Sequence, residues 1–428
     1  MTLRFSALDE FFLQIETEHR PTHWTVVIEL APEAERAADI EPIALGPLSA
    51  RMRERIERYR LFRLGAGDGR FGGAVLREYD VPTAMTCVDS AAVADDAEWH
   101  ELMSALLARP LPRNRPAWRA VLVDQARPAR QRLVILGSHA VSDGIAAAAF
   151  AALFADGDEE RLRQLDRYLD APRYPGPRVT AREFVRSATA FGGAWSKATR
   201  SRRLPRLTAN ARRAMAAVEL PTARVRRAAV GHGAGTAEFL IAAVGAAVAD
   251  AARTVLPADE MPRTLRAFLP ATFDRDLRHS GNAVSMVLIN AAGPEAALAD
   301  RVEATRAQLG AVLDARAEVA LPVLARFGRW LPWRARGAAA RAALAALAPD
   351  LHVGVSPAYV NLKTVLGNEF TAIHTLSPLL GNALSFTCLV LGGTVYIGIV
   401  WDPDACGDKI GVTAAQLLTD YVEAGVVS

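Results

Sequence analysis

Two β-rich runs, residues 117–124 and 132–137, lie one polar turn apart, with Pro128 in the turn, and the second leads into an apolar helical stretch at 144–154. A strand pair that feeds a helix buries one sheet face beneath that helix, which commits the chain to a layered α/β body. The same alternation recurs on both sides. Helical spacing predicts helices over 8–19, 40–60 and 99–108, with Ser6 placed to cap the first, and residues 25–30 read as a strand. A second series begins near Thr236: a helix over 238–253, strands at 265–269 and 283–290, helices at 295–315 and 335–348. It ends with strands at 358–362, 383–391 and 394–401 and a helix over 411–424. Gly392-Gly393 is a hairpin turn between the last two strands.

Between the two series, residues 156–230 are rich in Arg and Pro and poor in strand signals. The expected organisation is therefore an N-terminal lobe over 1–155, a basic crossover over 156–230 and a C-terminal lobe over 231–428. Two α/β lobes of similar size predict a pseudo-twofold body with a cleft between them.

Composition narrows the function. Lys plus Arg number 50 and Asp plus Glu 47, so the net charge of +3 on 428 residues argues against a nucleic-acid partner. Apolar residues make up 51%, as in a globular chain. Cys87, Cys388 and Cys406 are too scattered for a disulfide framework or a metal site, which points to a reducing compartment. The first residues show no secretory pattern, and no apolar run nears the roughly 20 residues of a membrane span. The expectation is a cytoplasmic protein without a bound metal, with at most peripheral membrane contact through the aromatic and basic stretch 327–336.

The chemistry concentrates in Leu136-Gly137-Ser138-His139-Ala140-Val141-Ser142-Asp143-Gly144. A strand ends, a His follows, and an Asp-Gly opens the helix. A His there has a fixed backbone and can project its ring into a cleft, where an unperturbed pKa near 6.5 suits a general base. Asp143 can hold the loop through backbone donors or a distant Arg, and Gly144 permits a sharp turn. The competing reading makes His139 an ordinary loop histidine and Ser142 or Asp143 a helix cap.

This segment resembles the HHxxxDG motif of the chloramphenicol acetyltransferase superfamily, which includes the condensation domains of peptide synthetases. Four other stretches are similar, in order, to the bacterial wax ester synthase/diacylglycerol acyltransferase family. They are the opening helix from Leu8 with Pro21-Thr22-His23; Leu111 to Trp118, which ends Arg115-Pro116-Ala117-Trp118; Phe268 to Arg275 with Gly281-Asn282; and Ser377-Pro378-Leu379-Leu380-Gly381. The resemblance runs from residue 8 to about 404. It implies two lobes like those of chloramphenicol acetyltransferase around a tunnel, in which an acyl thioester meets an acceptor hydroxyl. His139 falls on the family's catalytic second His and would act as base without an acyl-enzyme. Asp143 would be structural. Ser138, Asn282, Trp118 and Asn361 are the candidate substrate-binding residues. The co-substrate would be coenzyme A or a phosphopantetheine thioester, possibly on an acyl carrier protein, with no permanently bound cofactor. The basic residues Arg202, Arg203, Arg226 and Arg227 of the crossover are candidates for its phosphates.

The chain departs from the family in places. The first His is Ser138, the Asn-Asp pair falls on Ala237-Glu238, and only Asn361 survives of an Asn-Val-Pro-Gly-Pro loop. The expectation is a divergent acyltransferase that esterifies a specialised metabolite or lipid alcohol. The alternatives are an amide-forming enzyme of condensation type and a catalytically silent binding relative. Gly67 to Gly72 fits GxGxxG but follows a helix, so it reads as a hairpin loop and not a dinucleotide site. Gly354-Val355-Ser356-Pro357-Ala358 is a broken nucleophile elbow. His23, His232, His279, His352 and His374 stand singly and read as ordinary histidines.

Overall fold

The computed structural model describes the chain except residues 1–3, 33–34, 36–40, 70–72, 158–159, 161–162, 164, 167–168, 170, 199–202, 211, 258–259, 275–277, 294, 348, 358–362 and 426–428. The strand expected at 358–362, with Asn361, lies outside the described residues, as do Arg202 and the tip of the GxGxxG segment.

In the first half, α1 (Ala7–Ile15), β1 (His23–Leu30) and α2 (Leu45–Arg58) precede a hairpin of β2 (Leu64–Asp68) and β3 (Ala74–Glu78). There follow α3 (Val81–Met85), β4 (Val88–Val93), α4 (Asp96–Ala108), β5 (Trp118–Gln125), β6 (Arg130–Ser138) and α5 (Gly144–Ala152). Ser6 caps α1 as its position predicts. Its Oγ accepts from the Asp9 N–H, and the Asp9 carboxylate accepts from the Ser6 N–H at 2.7 Å. Gly67 and Asp68, the start of the GxGxxG segment, lie in β2 and pair antiparallel with Val75 and Ala74 of β3, so no helix opens directly on them.

Residues 156–230 carry more structure than a basic linker. They contain α6 (Ala181–Ala198), β7 (Ala214–Pro221) and the start of α7 (Thr222–Gly231). β7 pairs along its whole length with a strand near the C-terminus and belongs to the second sheet. The second half continues with α8 (Thr236–Ala252), β8 (Thr264–Thr272), β9 (Val284–Ala292), α9 (Leu298–Asp314), α10 (Ala320–Gly328) and α11 (Trp333–Leu347). It ends with β10 (Leu351–Pro357), β11 (Thr364–Val365), β12 (Asn368–Leu376), β13 (Leu384–Leu391), β14 (Thr394–Trp401), α12 (Pro403–Cys406) and α13 (Ile410–Ala424).

Two six-stranded sheets organise the body, ordered β11-β12-β1-β6-β5-β4 and β7-β14-β13-β10-β8-β9. β11 and β12 come from the C-terminal half yet complete the first sheet, so the chain crosses back after building the second. α8 is apolar on every side and sits in the second core, as a helix without a polar face must. No single described helix is long and apolar enough to cross a membrane. The pair of α7 and α8, bent by 87°, passes that test by length and composition only.

The sheets meet where β14 passes β12. Gly398 lies so close that an added Cβ would sit 2.2 Å from the Thr375 carbonyl oxygen. Gly398→Ala should therefore wedge the sheets apart and destabilise the protein by about 1–3 kcal/mol. Gly393→Ala, facing open space, should change stability by less than about 0.5 kcal/mol. Urea unfolding of both variants checks this, and equal effects would contradict the packing argument.

Candidate active site

His139 follows directly on β6, whose last residues pair with the start of β1: His23 with Ser138 and Trp24 with Gly137. Gly137 has a packing role. A Cβ on it would fall 2.2 Å from the Trp24 ring, so the bare backbone lets the indole lie across the strand end. From there Trp24 Nε1 donates to the Ser142 hydroxyl at 3.1 Å. The His139 N–H donates to the Thr22 carbonyl at 3.0 Å. The ring, half-buried, stacks on Phe12 with centroids 4.5 Å apart and planes 12° from parallel.

A buried polar network holds the loop from the other side. Arg173 donates to the carbonyls of Ala140 at 3.0 Å and Val141 at 2.7 Å. Its charge is met by Asp9, 2.7 Å away and with no solvent exposure. Asp9 also accepts from the backbone and side-chain N–H groups of Asn282 at 3.1 and 2.9 Å, and Asn282 Nδ2 reaches the His139 carbonyl. Asp143 accepts from the Ala283 N–H at 3.0 Å. The His loop is thus tied to α1, to the crossover and to the second lobe.

The imidazole opens onto a cavity of about 480 Å³ between the sheets. α1, β1 and the His loop form one wall, and β8, β9, β10 and β13 supply the other. α10 and α11 close the space. Among the described residues the lining is mainly apolar and contains no carboxylate, Cys, Lys or Tyr, so His139 and His352 are the groups there able to accept a proton near neutrality. Burial pushes the His139 ring down to about 3; the Asn282 side chain works against that shift, and His352 and His23 add to it. Burial likewise lowers His352 to about 4. Its Nδ1 lies 3.0 Å from the Ser385 hydroxyl. Both rings are neutral at pH 7. By distance criteria His139 Nδ1 is buried without a partner among the described residues, and the ring lines the cavity. The hydroxyls of Thr25, Ser285 and Thr375, all on the cavity wall, are also buried without partners among the described residues.

Several expectations need correction. Gly144 has no left-handed conformation, and a Cβ on it would meet open space. It lines the cavity and keeps it wide, and the turn does not require it. Trp118 is not on the cavity wall. Its ring packs against Phe62, Phe150 and Phe154, and Nε1 donates to the Phe62 carbonyl at 2.8 Å. The Ser138 hydroxyl is spent on the Ala140 N–H at 3.2 Å. Asn282 is turned toward Asp9 and the His139 backbone, a positioning contact. Arg203 is paired with Asp350 at 2.9 Å, while Arg226 and Arg227 are exposed on α7. Ser356 lies within β10, so no strand-to-helix elbow forms there. Asp9, Arg173, His352 and Ser285 were not singled out from sequence.

Two lobes, each built on a mixed sheet, with a histidine loop opening onto the space between them, define the class shared by chloramphenicol acetyltransferases and condensation domains. The family model described as "Wax ester synthase/diacylglycerol acyltransferase catalytic domain" matches residues 5–272, and the chain belongs to that family of acyltransferases. None of the curated proteins matches the chain in sequence. Among solved structures, the wax ester synthase/diacylglycerol acyltransferase from Marinobacter aquaeolei VT8 aligns with a TM-score of 0.65 at 16% identity, covering 99% of this chain and 98% of that one. The first condensation domain of the calcium-dependent antibiotic synthetase aligns with a TM-score of 0.66 at 15% identity, covering 100% and 96%. A variant starter condensation domain of rhizomide synthetase, in complex with C8-CoA and Leu-SNAC, aligns with a TM-score of 0.58 at 15% identity, covering 100% and 94%. At these identities the likeness establishes the fold.

Removing Asp9 leaves the Arg173 charge unmet and takes from Asn282 the acceptor of its backbone N–H. Asp9→Ala should cost about 3–5 kcal/mol, and Arg173→Met added to it should recover part of that loss. A double-mutant cycle in urea measures this, and strictly additive losses would exclude the coupling.

Proposed function

We propose that the protein transfers an acyl group from a thioester, acyl-CoA or acyl carrier protein, to an acceptor hydroxyl, with His139 as general base and no acyl-enzyme. One observation carries this reading: of the two imidazoles on the cavity wall, the groups there among the described residues able to take a proton near neutrality, His139 is the one on a loop clamped from three directions. The acceptor O–H gives its proton to Nε2 as its oxygen attacks the thioester carbonyl. The resulting oxyanion accepts hydrogen bonds from the unpartnered cavity hydroxyls, of which Ser285 is the leading candidate. The tetrahedral intermediate then expels the thiolate, which takes the proton from the imidazolium, so His139 ends neutral. The apolar wall that disfavours a charged ring at rest is compensated in the transition state by the oxyanion forming beside it. The 480 Å³ cavity suits an acyl chain or an apolar alcohol. Asp143 holds the loop by its bond to Ala283 and takes no proton.

A second reading, amide formation, has one observation behind it: the condensation domain aligns as well as the wax ester synthase, with TM-scores of 0.66 and 0.65. Thiol release from acyl-CoAs, with alcohols and then amines as acceptors, separates the two. His139→Ala should lower kcat by about 10²–10⁴-fold with KM little changed, and Ser285→Ala should lower it by about 10²–10³-fold. Equal rates in wild type and His139→Ala would remove His139 from the mechanism. Absence of turnover with either acceptor class would favour a silent binding relative.

A further inference from the structure

A second cavity, of about 470 Å³, adjoins the first and has a different character. Among the described residues no carboxylate lines it, and five arginines do: Arg4, Arg173, Arg178, Arg326 and Arg329. Two of these are already neutralised. Arg173 is held by Asp9, and Arg329 pairs with Glu10 at 2.9 Å. Arg4, Arg178 and Arg326 are exposed and make no hydrogen bond or ion pair with the described residues. Three cations with no anionic partner among the described residues therefore line one concavity. A multivalent anion would supply that partner, and the planar guanidinium fork matches phosphate oxygens.

The position of this cavity matters as much as its charge. α10 is a shared partition: Leu321, Leu324, Ala325 and Gly328 line the reaction cavity, while Pro322, Val323, Arg326 and, just past the helix end, Arg329 line the arginine cavity. Leu8 lines both. Arg173, on the wall of the second cavity, bonds the carbonyls of the two residues that follow His139. The two spaces therefore share α10 and Leu8 as walls.

We propose that the arginine cavity binds the phosphates of coenzyme A while its pantetheine arm carries the acyl thioester toward His139. The site rests on the acyl-transfer reading and names its donor. It also moves phosphate recognition from the basic pairs Arg202-Arg203 and Arg226-Arg227 to the segment 173–178 of the crossover, the N-terminus of α1 and the outer face of α10.

The test compares wild type with the double variant Arg178→Ala/Arg326→Ala, two exposed side chains without structural partners. Calorimetric titration with coenzyme A itself needs no turnover, so it reads the site even if thiol release fails with every acceptor. The dissociation constant for coenzyme A should rise about tenfold or more in the variant. Affinity for octanoyl-N-acetylcysteamine, which has no phosphate, should stay unchanged. Unchanged coenzyme A affinity, or an equal loss for both ligands, overturns the proposal. Phosphatidylglycerol vesicles supply the remaining arm: a variant that loses vesicle binding while keeping its coenzyme A affinity would assign these arginines to a lipid headgroup and overturn the assignment to the donor.

Discussion

The site depends on one carboxylate with no access to solvent. Asp9 caps the backbone of its own helix, neutralises Arg173 and accepts two bonds from Asn282. Through these two partners it fixes the carbonyls of His139, Ala140 and Val141. A buried carboxylate is tolerated only when its lone pairs are matched by donors, and a buried guanidinium only when its charge is met. Each of these groups therefore needs the others in place, and together they hold the loop that presents the imidazole. The cavity is mainly apolar, and the polar atoms of the loop are consumed behind it.

How much of this was legible in the sequence follows from how local each signal is. β5, β6 and α5 were readable because an alternating pair of runs and an apolar helix sit within one short window. β7 was not: its run Ala214-Met215-Ala216-Ala217 has little strand propensity, and its partner β14 lies far along the chain. β12 was missed for the same reason, since it pairs with β1 from the opposite end of the sequence. His139 was found through its motif. Asp9 and Arg173 are 164 positions apart, and only the fold brings them together. His352 looked like any solitary histidine until β10 carried it to the cavity wall.

The departures from the family pattern also acquire physical meaning. Where the first His of the motif stands in relatives, Ser138 turns its hydroxyl back onto the Ala140 N–H and stiffens the loop. It need not reach substrate. Gly144 matters for the space it leaves in the cavity. The fold alone would not decide the chemistry, because the epimerization domain of tyrocidine synthetase B aligns with a TM-score of 0.59. The reading of acyl transfer rests on family membership and on which groups line the cavity.

The central claim is that a neutral imidazole is held in an apolar space, ready to take a proton from an incoming nucleophile. The most direct measurement is an NMR titration of the histidine ring resonances, with His139 assigned by its loss in His139→Ala. Burial lowers this ring far below 6.5, so its resonance should show an unprotonated imidazole at pH 7 and still do so at pH 5. A midpoint near 6.5, like that of a solvent-exposed histidine, would contradict the account.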